Sequence, residues 1–235
     1  MRPEQAAIEV DALDHRPWYR VGSVAAIVLA FGYVIVILLY ARVGAPPSGG
    51  GEAWFRYLPG KTAIWWTILG LSVFTDLLYL PLALALYLAL RKTDRNLMLL
   101  ATAFIGLFVL LDLAVTWTHY ASILTLYGRY SAGTADAQRA ACLAAADYAS
   151  AILMSRLEVV YAIVTLSFGI LLTALVMLRG SFDKITAWLG LITGILGLAA
   201  LTGSGLIIIG NALFATLWLF FTGYRLYRLA GAQRL

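Results

Sequence analysis

Six long apolar runs separated by short polar connections divide the 235-residue chain. They fall at about 21–40, 62–90, 97–126, 157–178, 185–202 and 206–224. Each is long enough for a helix to cross a hydrocarbon layer of about 30 Å. Backbone polar groups in hydrocarbon must be satisfied within their own segment, so the runs predict helices. The expected fold is all-α: a polytopic membrane protein built as a bundle of six transmembrane helices. A polar lead over 1–20 and a tail over 227–235 flank the 21–226 transmembrane domain. An alanine-rich stretch without breakers, about 137–156, predicts an extra-cytoplasmic helix leading into the fourth span.

The connections carry their own punctuation. Pro17-Trp18-Tyr19-Arg20 reads as an interfacial anchor before a first span that is longer than a signal-peptide core, with no cleavage site after it. Gly44, Pro46-Pro47 and Gly49-Gly50-Gly51 mark a loop from Arg42 to Lys61, and Trp54, Phe55, Tyr57, Trp65 and Trp66 follow as an interfacial aromatic group. The short basic turn Arg91-Lys92-Thr93-Asp94-Arg95 makes spans two and three an antiparallel hairpin. Pro81 inside span two removes one backbone hydrogen bond and predicts a kink just beyond Asp76. Gly190 and Gly194 have the small-xxx-small spacing of close helix approach, which predicts self-association into a homo-oligomer.

Composition agrees with the pattern. Hydrophobic residues make up 62% of the chain and charged residues 12%, against about 25% charged in soluble domains. The net charge of +5 is spread over connections, so it speaks for topology and not for nucleic-acid binding. With a cytoplasmic N-terminus, eleven Lys and Arg fall inside and six outside, so both termini are expected in the cytoplasm of a multi-pass protein of the cell's inner (plasma) membrane. A seven-span alternative would need Arg156-Leu157-Glu158 to form a complete turn and would reverse the last two basic clusters. A single cysteine, Cys142, excludes an internal disulfide and any multi-cysteine metal site. No metal and no cofactor is expected.

Against this background the intramembrane polar residues are the candidate chemistry, because ionisable groups at that depth are costly and rare. Asp76 lies fifteen residues from Arg91, Asp112 seventeen from Arg95 and Asn211 fourteen from Arg225. At 1.5 Å per residue all three sit roughly 21–25 Å from the same end, in one plane near mid-bilayer. Helical phase puts Ser72, Asp76, Tyr79 and Tyr87 on one stripe of span two, and Asp112, Thr116 and His119 on one stripe of span three. Glu158, Tyr161, Thr165 and Gly169 share a stripe of span four, as do Ser204, Asn211, Trp218 and Thr222 of span six. These stripes predict a polar seam inside the bundle. Arg156 does not face Glu158 on its own helix and could pair with Asp147, as Asp112 could with His119. The aspartates could form a carboxyl pair sharing a proton, a proton or cation relay with Glu158 and His119, or the floor of a substrate or headgroup pocket.

Other motifs are absent. No lysine in the later spans suits a retinal Schiff base, and no phosphate-binding loop, HExxH or metal-spaced cysteine pair occurs. No nucleophile–base pair is legible, so an enzyme is not the expectation. The stretch from Asp76 through Leu77, Leu78, Tyr79, Leu80 and Pro81 to Tyr87, and that from Arg179 through Phe182, Asp183 and Trp188 to Gly190, resemble a family of bacterial six-span membrane proteins defined by a domain of unknown function. The resemblance implies a prokaryotic inner membrane and no particular activity. The expected partner is the lipid bilayer. The two functional expectations are a structural or accessory protein held together by buried carboxylates, and a small proton- or cation-coupled transporter using Asp76 and Asp112.

Overall fold

The computed structural model describes residues 15–180 and 182–231. The expected leading tail through residue 14 and the last four residues of the expected trailing tail lie outside these described residues. In chain order the elements are α1 (Arg16–Val43), α2 (Gly51–Tyr57), α3 (Thr62–Leu90), α4 (Arg95–Leu111), a π-helical segment (Asp112–Trp117) and α5 (Thr118–Ala132). There follow α6 (Asp136–Leu153), α7 (Arg156–Val159), a second π segment (Val160–Val164), α8 (Thr165–Arg179), α9 (Lys184–Ala199), a 3-10 turn (Ala200–Thr202) and α10 (Gly205–Gly231). Among the described residues six rods are long and apolar enough to cross a membrane: Arg16–Val43, Thr62–Leu90, Arg95–Ala132, Arg156–Arg179, Lys184–Thr202 and Gly205–Gly231. The protein is an all-α, multi-pass membrane bundle.

Several boundaries move. The first rod starts at Arg16, not about 21, because Pro17 sits in the first turn, where its missing N–H costs no hydrogen bond. The last rod continues to Gly231, so most of the expected tail is helix: Leu226 and Ala230 are buried against the bundle and keep it wound. Inside the expected 42–61 loop, Gly51–Tyr57 forms the short helix α2. Helix α3 runs unbroken through Pro81. The alanine-rich helix α6 ends at Leu153, and the chain restarts at Arg156 with Ser155 as N-cap, its hydroxyl accepting from Glu158 N at 3.2 Å. Residues 137–178 are thus divided between α6 and the separate rod Arg156–Arg179.

The rods form a closed ring in chain order. Helix α1 packs on α3, α3 on α4, α4 on α8, α8 on α9 and α9 on α10, and α10 closes back onto α1. One core runs through the ring, with Leu29, Leu86, Phe108, Ile170, Val176, Trp218 and Leu226 among its buried side chains. Small residues set the closest approaches. A Cβ on Gly32 would stand 2.5 Å from Thr75 Cγ2, so α1 meets α3 there only as glycine. Gly190 and Gly194 are buried: a Cβ would press Gly190 on Ala174 and Trp218 at 2.8 Å, and Gly194 on Leu171 at 2.5 Å. Both glycines thus serve close approach to α8 and α10 of the same chain.

At one end of the bundle lie the start of α1, the turn 91–94, the α8–α9 connection and the end of α10. Arg91 Nη2 meets His15 Nε2 at 2.8 Å, Arg179 pairs with Asp94 at 3.7 Å, and Arg225 with Asp183 at 2.9 Å. Asp94 and Asp183 also cap α4 and α9, accepting from Leu97 N and Thr186 N. At the other end α2 and α6 form a lid. Asp147 Oδ1 accepts from Gly51 N at 2.6 Å and Ser150 donates to Gly49 O at 2.7 Å, which Gly50 and Gly51 permit by letting α6 approach their backbone.

Candidate functional site

The seam begins with Asp76 in the middle of α3. It is 3% exposed, and Asp112, at the start of the first π segment, is 4% exposed. Trp117 lies between them. Its indole Nε1–H is donated to Asp76 Oδ2 at 2.7 Å and to Asp112 Oδ2 at 3.1 Å, so one N–H serves two carboxyls. The carboxyls are also within hydrogen-bonding reach of each other.

The π segment explains how Trp117 arrives there. On a regular α-helix, residues five apart are separated by about 140° around the axis, which would turn Trp117 away from Asp112. Over Asp112–Trp117 the backbone widens to i→i+5 bonding, and residues five apart come onto one face. Thr118 Oγ1 donates to Leu113 O, also five residues back, at 2.8 Å. The second π segment, Val160–Val164, packs against the first, and Thr165 Oγ1 donates to Val160 O at 2.7 Å in the same pattern. Single π turns inside α-helices occur often at functional sites.

From the pair the polar line extends both ways. Thr116, 3% exposed, donates to Glu158 Oε1 at 3.5 Å and lies within reach of the Asp112 carboxyl, linking the third span to the fourth. On the other side Tyr79, one turn along α3 from Asp76, donates its hydroxyl to the Tyr33 hydroxyl of α1 at 2.8 Å. Phe108 closes over the Tyr79 ring with centroids 5.5 Å apart. Trp117 also leans on Tyr120, which stacks on Trp65 at 5.2 Å, and Trp54 meets both rings edge-on. Trp54 and Trp65 are fully buried, so these rings fill the space under the α2–α6 lid as core.

The remaining sequence candidates go elsewhere. Asn211, expected in the plane of the aspartates, does not share their neighbourhood. Its Nδ2 donates to Thr193 O at 2.8 Å and Ser167 Oγ at 3.3 Å, clipping α10 to α9 and α8. Ring order separates them, since α10 borders α9 and α1 while the pair sits between α3 and the third span. His119 turns its Nδ1 back to Val115 O at 2.6 Å, and its ring faces Tyr148 of α6, so it makes no bond to Asp112. Arg156 is exposed and does not pair with Asp147, whose carboxylate is taken by Gly51 N. No ion pair joins Asp76, Asp112 or Glu158 to a described arginine or lysine. Among the described residues no three His, Cys, Asp or Glu side chains converge on a point suited to a metal ion.

Sequence reasoning missed Trp117 and Tyr33. A tryptophan in an apolar run reads as packing, and only the π turn reveals its hydrogen bonds. No family model, curated protein or solved structure matches the chain.

Proposed function

We propose that the chain is a structural or accessory membrane protein whose Asp76–Asp112 pair holds one proton and clamps span two to span three at mid-bilayer. The observation that carries this reading is the single Trp117 N–H shared by both carboxyls at 2.7 and 3.1 Å. An ionised carboxylate at the centre of a spanning helix costs about 2.5–3.5 kcal/mol on insertion scales. Interhelical hydrogen bonds in membranes return about 0.6 kcal/mol on average and about 1.7 at most. One indole N–H therefore does not offset two charges held side by side without a cation. One shared proton removes one charge and supplies a second donor, which satisfies the pair.

The orientation expected from the charges is part of this reading. Among the described residues, nine Lys and Arg lie at the end that carries the described termini and six at the lid end, which favours the termini end as cytoplasmic. Proteoliposomes carrying an imposed pH gradient test the reading. The clamp predicts the same gradient decay with and without protein, and lower thermal stability in Asp76→Asn and Asp112→Asn. Protein-dependent proton flux abolished by Asp76→Asn would replace the clamp with a transporter.

A further inference from the structure

A proton held by a buried pair needs a way in, and one polar line leads outward from it. Glu158 sits at the start of the fourth rod, partly exposed, one turn from the Ser155 cap beneath the lid end. Its Oε1 accepts from Thr116 Oγ1, and the same hydroxyl reaches the Asp112 carboxyl. One Asp112 oxygen, Oδ1, is buried without a hydrogen-bond partner among the described residues, an open acceptor of the kind native interiors rarely leave. Toward the termini end the pair is closed by buried Tyr79, Leu82, Ile105 and Phe108. The Tyr79 and Tyr33 hydroxyls there are bonded to each other.

We propose that Glu158 and Thr116 form the proton route to the Asp76–Asp112 pair, open toward the lid end only. This rests on reading the pair as a proton-holding clamp. In the inward step the Glu158 carboxylic O–H gives its proton to Thr116 Oγ1 while the Thr116 O–H passes its own to the Asp112 carboxylate. Glu158 is left a carboxylate, Asp112 becomes a carboxylic acid, and the threonine is regenerated once its hydroxyl rotates back. The reverse step releases the proton. Among the described residues, Asp76 and Tyr79 on α3, Tyr33 and Tyr40 on α1, and Tyr120 on α5 lie near enough to interact electrostatically with the carboxyls of this line. The two π segments pack against each other beside the route, Thr116 in the first and Glu158 just before the second.

Infrared spectroscopy of the full chain in lipid nanodiscs tests the route, by following the deuterium shift of the buried carboxylic C=O band after a switch from H2O to D2O. Removing a positioned proton donor should slow the exchange on the order of 100-fold in Glu158→Gln and in Thr116→Val. Thr116→Ser, which keeps the hydroxyl, should exchange like the native chain, as should Tyr79→Phe on the closed side. Native exchange rates in Glu158→Gln, a near-isosteric change at a partly exposed position, would overturn the route while leaving the clamp intact. So would slow exchange in Tyr79→Phe. A band absent from the native chain would overturn route and clamp together.

Discussion

Trp117 Nε1 stands 2.7 Å from Asp76 Oδ2, a hydrogen bond between the third and second spans made where hydrocarbon offers no other donor. The ring that makes it also touches Tyr120, so the bond joins the polar seam to the aromatic core under the lid. Replacing the ring alone tests the bond. Trp117→Phe keeps an aromatic side chain but removes the N–H from both carboxyls, and should lower stability by about 1–3 kcal/mol, the cost of leaving buried acceptors unmet. Thermal unfolding in detergent measures this, with Trp218→Phe as comparison, because the Trp218 N–H has no hydrogen-bond partner to lose among the described residues.

The approach of α1 to α3 rests on Gly32. A methyl there would meet Thr75 Cγ2, so Gly32→Ala should destabilise the bundle by about 1–3 kcal/mol through overpacking. Thr75→Ser removes that methyl and keeps the hydroxyl that donates to Ser72 O at 2.8 Å. The double variant should therefore recover most of the loss. Additive effects of the two changes in unfolding experiments would mean that the contact does not set the packing.

The connection between the first two spans carries a pH dependence. Tyr57, outside the spans, donates its hydroxyl to Val43 O at 3.0 Å and Gly44 O at 2.9 Å. Burial raises its pKa from the ordinary 10.0, while the Trp65 N–H bonded to its oxygen pulls the other way. The neutral phenol is the form the fold favours, so its contribution is complete below pH 10 and is lost as pH climbs from there through the raised value. Hydrogen exchange at residues 44–60 should accelerate above that pH, and Tyr57→Phe should remove the alkaline step. An unchanged alkaline step in Tyr57→Phe would assign it to another group.

How much of this was legible beforehand follows from what hydropathy and phase encode. Span number and the common depth of Asp76 and Asp112 could be read because apolar length and residue counts from the Arg91–Arg95 turn report position along the membrane normal. The same counts grouped Asn211 with the aspartates, whereas its partners are Ser167 and Thr193, since residue counts carry no information on order around the ring. Trp117 was hidden because a period of 3.6 residues assigns it to another face, and only the widened π turn brings it beside Asp112. Helix α2 was masked by the surrounding glycines and prolines; its Trp54 and Phe55 wind because they are buried under the lid. Gly190 and Gly194 were legible as close-approach residues from their spacing, and within the chain they meet Ala174, Trp218 and Leu171.

The shared proton is the claim on which the rest depends. The most direct measurement is the infrared band of a protonated carboxylic acid at neutral pH in the purified chain, recorded for the native protein and for Asp76→Asn and Asp112→Asn separately. A pair holding one proton gives a band in the native chain that is lost or displaced by either substitution, because each removes half of the same hydrogen-bonded unit. No such band in the native chain, or a band insensitive to both substitutions, would contradict it.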